Sequence, residues 1–314
     1  MNKIVLFIVL IFGLVSAYAI AQNEKPASSP KLGTPVSVDS SETDKKPEQK
    51  TFSKKIAITF DYLPGDQIYT SDEIVRINDA ILESLKKYNA PAAGFVVGEY
   101  IEGAEWEIVI KWLDQGHTIG FHTYSGQGLY DAPLGMFMED VMKGKQAVED
   151  LVTTYRQEGR YFRFPFLHYP TEERMKELVI DELINARVRI AHASVVTEDF
   201  VYNMTLEKIS PAADSLDLMR LEREYLDHIL ERLGHFETVA GEVAGRPVRH
   251  ILQLRVNRLN AMFLDDVLAE LQDKGYQFVD LRHALGDWVY RKEESYFGTM
   301  GLSYLERIKF SGQN

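Results

Sequence analysis

The sequence of 314 residues contains no cysteine, and its 47 acidic residues outnumber its 35 basic ones to give a formal net charge of −12. Without cysteine the chain cannot form disulfides, so its fold must be held by packing, and a lipoprotein anchor is excluded. A chain this acidic lacks the basic face that a nucleic-acid partner requires. It also offers no polybasic patch to an anionic membrane.

Long apolar runs are scarce, and the clearest one lies at the start of the chain. Lys3 precedes an apolar run over residues 4–14, and the small residues of Ala19–Ala21 follow it. This order predicts a secretory signal peptide over residues 1–21 and a secreted or periplasmic protein that has no membrane contact after cleavage. The alternative is an uncleaved membrane anchor, although the apolar stretch falls short of the ~20 residues that a spanning helix needs.

Residues 22–54 are rich in Pro, Ser, Thr, Lys and Glu and contain almost no large apolar side chain. Such a segment cannot offset its ordering entropy by burial, which predicts a flexible polar linker. Over residues 55–309 strand-like and helix-like patterns alternate, and Thr70 with Glu73 predicts a capping box at the first helix. The repeated β-then-α order predicts one α/β domain with a mostly parallel sheet, closed as an irregular (β/α) barrel.

Two apolar segments end in polar residues, as buried strands do where they open into a site. They are Ile56–Tyr62 (IAITFDY) and His117–Gly126 (HTIGFHTYSG), and they deliver Asp61 and His122. In parallel α/β folds the carboxyl ends of the strands form the ligand-binding mouth, so we expect both side chains there. His117 is an odd number of residues from His122, which predicts the opposite face and a core position. Four further histidines in charged or turn contexts are expected to face solvent: His228, His235, His250 and His283.

These segments and three others resemble the motifs of the NodB-homology polysaccharide deacetylases, carbohydrate esterase family 4. Thr59–Tyr62 (TFDY) is similar to the family's Thr-Phe-Asp-Asp, and His122–Gly126 (HTYSG) is similar to His-Thr-Tyr-Ser-His. The family's Arg-x-Pro-Tyr, Asp-x-x-Asp-Trp and Leu-x-His correspond to Arg163–Phe166 (RFPF), Val196–Phe200 (VTEDF) and Leu254–Arg255 (LR). The resemblance implies the barrel fold and a metal-dependent N-deacetylation of polysaccharide.

The resemblance also implies roles for single residues. Active members hold a divalent metal, usually zinc, with two histidines and an aspartate, and use a second aspartate as general base. Asp61 stands at the base position, and Arg163 stands where an arginine pairs with that base. His122 keeps one metal-ligand position, whereas Tyr62 and Gly126 occupy the other two.

The acid half of the family's machinery is altered as well. Arg255 stands at the position of the acid histidine, and Val196 at that of its carboxylate partner. A guanidinium stays protonated, so it can neither act as a general acid nor tolerate a close metal cation. Tyr62 could coordinate a metal only as phenolate, and its deprotonation near pH 7 costs about 4 kcal/mol.

Two expectations follow from these substitutions. We expect Arg255 to replace the metal as the counter-charge of Asp61. We also expect the three changes Tyr62→Asp, Gly126→His and Arg255→His together to recover metal binding.

The remaining site predictions concern one carboxylate and the substrate. Asp199 joins Asp61 and Arg163 as a predicted catalytic residue, with a structural Arg163–Asp199 ion pair as the alternative. The predicted substrate-binding residues are three aromatics that could stack on sugars and one arginine: Tyr124, Phe164, Phe166 and Arg255. Ordinary packing is the alternative for the aromatics.

Two functions are therefore predicted. The first is an exported family member with a degenerate metal site and no cofactor, which binds an N-acetylated glycan such as peptidoglycan or another envelope polysaccharide with little or no hydrolysis. The second is an active N-deacetylase that uses zinc or another divalent metal in a rebuilt site with Asp61 as base. The net charge is compatible with a neutral or cationic glycan in either case.

Overall fold

A computed structural model describes residues 54–101, 103, 105–209 and 215–311. The predicted signal peptide and all but the last residue of the predicted linker lie outside this part of the chain. The strands within it are β1 (Lys54–Leu63), β2 (Ala92–Val96), β3 (Thr118–Phe121), β4 (Arg160–Phe162), β5 (Val188–Ile190), β6 (Val195–Val196), β7 (Arg249–Arg255) and β8 (Tyr276–Phe278). The helices are α1 (Ser71–Lys87), α2 (Glu105–Asp114), α3 (Leu134–Thr154), α4 (Glu173–Asn185), α5 (Asp199–Leu206), α6 (Ser215–Ala244), α7 (Arg258–Asp273), α8 (Leu281–Leu285) and α9 (Tyr304–Lys309).

The strands form one parallel sheet in the order β5-β4-β3-β2-β1-β7-β6, and β8 pairs with the start of β1. The two ends of this order, β5 and β6, are separated in the chain by residues 191–194 alone. One short segment therefore contacts both edges, so the sheet must curl back on itself. The predicted irregular (β/α) barrel is confirmed.

Helix α1 shows how local sequence sets an element. The Thr70 hydroxyl accepts the Glu73 backbone N–H, and the Glu73 carboxylate accepts the Thr70 backbone N–H at 3.0 Å, which is the predicted capping box. Its buried apolar residues recur every three or four positions, as expected of a helix that packs one face on the sheet: Ile74, Ile77, Ile81, Leu82 and Leu85.

The carboxyl ends of four strands meet at one mouth of the barrel. Asp61 on β1 is the register partner of Arg255 on β7. His122 and Arg163 directly follow β3 and β4. His117 lies at the opposite end of β3, where its Nδ1 accepts the Ala92 N–H at 3.2 Å, which confirms the predicted core position.

None of the helices in the described ranges is both long enough and apolar enough to cross a membrane.

Candidate active site

Asp61 is buried at the mouth, and its two carboxylate oxygens are held by different partners. Arg163 donates Nη1–H to Oδ1 at 2.9 Å, and Gln253 donates its side-chain N–H to Oδ2. Burial raises the pKa of Asp61, but the charge of Arg163 and these hydrogen bonds outweigh it, so the pKa lies below its usual value. A carboxylate with a lowered pKa is a weak proton acceptor, which makes Asp61 a poor general base in this state.

Arg163 is fully buried, and its contacts fix the direction of the guanidinium. Nε donates to the Ala191 carbonyl at 3.0 Å, and Nη1 also donates to the Thr59 hydroxyl at 2.7 Å. The guanidinium carbon lies 4.1 Å from the centre of the Phe95 ring. The pairing of Arg163 with Asp61 that the resemblance implied is present as a buried ion pair.

His122 is a neutral imidazole with one defined tautomer. Burial is the main cause that lowers its pKa. Its Nδ1 lies 2.8 Å from the Arg163 carbonyl oxygen, which can only accept, so Nδ1 carries the hydrogen. Nε2 then presents a lone pair, has no hydrogen-bond partner and lies 3.7 Å from Asp61 Oδ1.

The residues around His122 do not complete a site for a divalent metal. The Tyr62 ring centre lies 5.1 Å from that of His122, and burial raises the pKa of Tyr62 further above the ordinary tyrosine value. A phenolate ligand is therefore disfavoured even more than the sequence predicts, and Gly126 supplies no side chain. In the described part of the chain, no three His, Cys, Asp or Glu side chains are grouped so that they could hold a metal. The side chains present do not fit the family's dication.

Arg255 pairs with Asp199 instead of Asp61. Its Nη1 donates to Asp199 Oδ1 at 2.6 Å, while Asp61 is paired with Arg163. The expectation that Arg255 is the counter-charge of Asp61 is wrong, and so is the alternative Arg163–Asp199 ion pair. The physical reason is that Asp199 begins α5 beside the end of β7, so its carboxylate is the nearest one to the Arg255 guanidinium.

The second oxygen of Asp199 is also fully engaged by the protein. Oδ2 accepts the Arg255 backbone N–H at 2.7 Å and the side-chain amides of Asn257 and Asn260 at 3.3 and 2.6 Å. Asp199 thereby ties the start of α5 to the turn between β7 and α7. No oxygen is left for a reactant, so these contacts give the predicted catalytic role of Asp199 no support.

A cleft of about 520 Å³ opens beside these buried groups. Its lining includes five aromatic residues: Tyr62, Tyr69, Tyr100, Phe166 and Phe200. Gln253 and Arg255 also line it, whereas Asp61 and His122, which are at most 1% exposed, do not. Among the lining residues, Gln253 donates to the buried Asp61 carboxylate and the Tyr62 ring lies against the buried His122 ring.

The predicted substrate-binding aromatics have different positions. Phe166 is 47% exposed and lines the cleft, as predicted. Phe164 is buried in the core, and the centre of its ring lies 4.9 Å from that of Phe162. The 3₁₀ turn at Pro165–Leu167 reverses the side-chain direction between Phe164 and Phe166. Tyr124 packs against Gly98 and does not line the cleft. These positions give the predicted substrate contact of Phe164 and Tyr124 no support.

Sequence reasoning missed Gln253. It contacts Asp61 and lines the cleft, although no motif of the family points to it. The signal was present as a polar residue within the otherwise apolar segment ILQL of β7, two residues before Arg255 and hence on the same face of the strand.

Left-handed backbone conformations are concentrated around this cleft. Four of its lining residues have a positive φ without being glycine: Tyr62 at 61°, Phe166 at 57°, Leu167 at 54° and Glu198 at 46°. The other such residues in the described ranges each follow the C-cap of a helix, where this conformation is common: Asn89, Arg156 and Arg187. Each strained residue costs of order 1–3 kcal/mol, and such residues cluster at ligand sites.

Residues 48–178 match the family model described as polysaccharide deacetylase. Among curated proteins, the peptidoglycan-N-acetylglucosamine deacetylase PgdA of Listeria monocytogenes is 24% identical over 244 residues, which is 77% of this chain and 41% of PgdA. The chain thus spans less than half the length of this relative.

Solved structures share the fold at low identity. Peptidoglycan deacetylase PdaC of Bacillus subtilis has a TM-score of 0.50 at 18% identity and covers 74% of this chain and 90% of its own. PdaA of Bacillus subtilis, a family 4 carbohydrate esterase, has a TM-score of 0.50 at 21% identity, with 77% and 82% covered. A mutant of BA3943, described as a CE4 family pseudoenzyme with restored enzymatic activity, has a TM-score of 0.51 at 17% identity, with 74% and 68% covered. The sequence therefore matches the polysaccharide deacetylase model over residues 48–178, which is less than half of the chain, and the chain shares the fold of these solved structures.

Proposed function

We propose that this protein binds an N-acetylated envelope glycan in the cleft beside Tyr62, Phe166 and Arg255, with little or no metal-dependent hydrolysis. The observation that carries the proposal is the position of Tyr62, whose ring lines the cleft and lies against His122. It keeps a bound sugar away from the family's base position while leaving the aromatic cleft available.

The lining of the cleft supports a sugar ligand. Exposed aromatic rings present apolar faces to the C–H groups of sugars, and the amides and guanidinium of the lining can donate hydrogen bonds to hydroxyl groups. Arg255 lies 4.8 Å from the centre of the Phe200 ring and has only its Nη1 engaged by Asp199. The four strained residues support a ligand site as well, because strain persists where surrounding structure holds a functional geometry.

The chemistry of the buried groups supports the absence of hydrolysis. Asp61 has a lowered pKa, His122 is a single candidate metal ligand, and Arg255 cannot donate a proton as an acid. The loss of single members of a catalytic unit typically lowers activity by orders of magnitude.

The comparisons and the N-terminal sequence support the choice of ligand. PgdA and PdaC act on peptidoglycan by their names, and the predicted signal peptide is consistent with an envelope glycan. BA3943, which shares this fold, is described as a CE4 family pseudoenzyme. We propose that this chain is a pseudoenzyme too.

One observation favours a second candidate function, an active N-deacetylase with a rebuilt site. The buried Nε2 of His122 has no hydrogen-bond partner and lies 3.7 Å from Asp61, so a histidine–carboxylate pair is retained. In that case Asp61 would act as the base, and His122 would be one ligand of a divalent metal that would supply Lewis-acid chemistry.

Acetate release and glycan binding separate the two functions. With the purified full chain and an N-acetylglucosamine tetrasaccharide, we expect binding by calorimetry and no acetate release with added zinc or cobalt. Phe166→Gly should weaken binding roughly threefold to tenfold, because it removes one stacking ring. Arg156→Gly, which changes another left-handed residue that is not part of the cleft lining, is the matched control and should not weaken binding. Metal-dependent acetate release would support the second candidate, and no binding of the tetrasaccharide would overturn the first.

A further inference from the structure

The charges around the cleft do not cancel. Three charged residues line it, namely Asp66, Glu198 and Arg255. Arg255 is neutralised by Asp199 at 2.6 Å, and Glu198 lies 3.6 Å from Arg232. Among the described residues, the lining therefore keeps one carboxylate that forms no ion pair.

That carboxylate is Asp66, in the loop that follows β1. It is exposed, and its Oδ1 accepts the backbone N–H of Ile68 at 3.2 Å. It forms no ion pair with any lysine, arginine or histidine of the described ranges. Burial and then the nearby Asp66 carboxylate raise the pKa of Tyr100, which puts Asp66 beside this aromatic wall of the cleft.

The floor of the cleft gives an acetamide group no place beside Asp61. Tyr62 fills the space next to His122, and the Gln253 amide occupies Asp61 Oδ2. The cleft therefore offers an N-acetyl group no contact with Asp61, whereas a protonated amine can pair with Asp66 and lie against the rings of Tyr62 and Tyr100.

We propose that the cleft prefers glycans with free, protonated amino groups, such as a partly deacetylated hexosamine polymer, and that Asp66 determines this preference. The proposal rests on the proposed function, since it requires that the cleft binds glycan. The preferred ligand is a product of amide hydrolysis, so a reaction of that class must supply it. The net charge of −12 also attracts a polycationic chain over a longer range.

Comparison of the affinities for two tetrasaccharides tests the preference. Calorimetry at pH 6 and low salt compares a β-1,4 glucosamine tetrasaccharide with its fully N-acetylated form on the full chain. We expect the amino form to bind roughly tenfold more tightly, with an advantage that shrinks as salt rises.

Two isosteric variants identify the residue. Asp66→Asn keeps the oxygen that accepts the Ile68 N–H, so the loop should retain its shape, and the preference for the amino form should fall to about twofold or less. Asp181→Asn removes the same charge from an exposed position on α4 and should leave the preference intact.

The outcomes are distinct. Equal or tighter binding of the N-acetylated form, or a preference that survives Asp66→Asn, overturns this inference and leaves the proposed glycan binding in place. Failure of both tetrasaccharides to bind removes the proposed function and this inference together.

Discussion

The backbone at Gly126 has a φ of 77°, and a Cβ at this position would lie 3.3 Å from Val97 Cγ1. Both facts matter because Gly126 stands where the family places a metal histidine. A side chain here must adopt a left-handed conformation and must also displace Val97.

We expect Gly126→His to lower the free energy of unfolding by about 1–2 kcal/mol. Gly126→Asn should cost less, because asparagine tolerates the left-handed region better than histidine does. Urea denaturation of the two variants and the unchanged protein at pH 7.5 measures the difference. Equal stability of all three would contradict the strain argument.

The same geometry revises the expectation that three substitutions recover metal binding. Gly126→His starts from a strained backbone, and Arg255→His removes the cation from the buried Asp199 carboxylate. Breaking a buried ion pair costs roughly 3–5 kcal/mol. If the triple variant fails to bind zinc, this counts against the expected recovery only when urea denaturation shows that the variant is folded.

Residues of the site differ in how far sequence could predict them. The Asp61–Arg163 pair follows from motif positions, and the structure contains it at 2.9 Å. The partner of Arg255 was predicted wrongly because β7 and α5 are far apart in sequence and meet only in the folded protein. A motif does not specify which of two nearby carboxylates a long side chain reaches. Gln253 was missed because it belongs to no motif.

At the scale of elements, α3 packs unusually closely on the loop that carries His122. A Cβ added at Gly144 would lie 2.3 Å from the His122 carbonyl oxygen and 3.0 Å from the Tyr124 backbone nitrogen. Both are backbone atoms, so neither can rotate away as a side chain could. Only glycine permits this approach of helix and loop.

Gly144→Ala should therefore destabilise the protein by about 1–3 kcal/mol, despite the better helix propensity of alanine. Gly234→Ala in the middle of α6 is the matched control, since nothing lies within 4 Å of the Cβ it would add. The control should gain about 0.5–1 kcal/mol. Thermal and urea unfolding of both variants measure the contrast, and a stabilised Gly144→Ala would show that the helix can shift.

The elements themselves were largely predictable because their signals are local. The capping box at Thr70 and the apolar spacing of α1 depend on residues within one or two turns of each other. The reversal between Phe164 and Phe166 was not predictable from strand alternation, because it depends on the left-handed conformation at Phe166 inside a turn.

At the scale of the whole molecule, burial of histidines links stability to pH. His117 and His250 are at most 8% exposed, and burial is the first cause that lowers the pKa of each to about 4. The expectation that His250 and His228 face solvent is wrong, since both are buried. Charged neighbours in the sequence did not reveal that β7 and α6 turn these rings inward.

We expect the free energy of unfolding to fall by roughly 2–4 kcal/mol between pH 7.5 and pH 5. An unfolded histidine titrates near 6.5, whereas these two stay neutral down to about pH 4 when folded. The unfolded state therefore binds more protons in this interval. The stabilising contribution of the two neutral histidines is complete above about pH 6.5 and is lost as the pH falls toward 4.

Urea denaturation at pH 7.5, 6 and 5 measures the slope. His250→Gln should show a shallower slope by about one proton, whatever its effect on stability at pH 7.5. A free energy that does not change over the interval would contradict the buried neutral state.

The sequence alone determined the class of fold and the resemblance to the polysaccharide deacetylases. Apolar strands that alternate with amphipathic helices have few ways to bury their apolar faces. The motif residues lie at the ends of strands because of their positions in the sequence, independently of their side-chain conformations. Only the tertiary structure decided which arginine pairs with which carboxylate, that Tyr62 and Gln253 line the cleft while Asp61 does not, and that Asp66 forms no ion pair within the described ranges. These features depend on distances of a few ångströms between segments far apart in the chain, which local patterns do not encode.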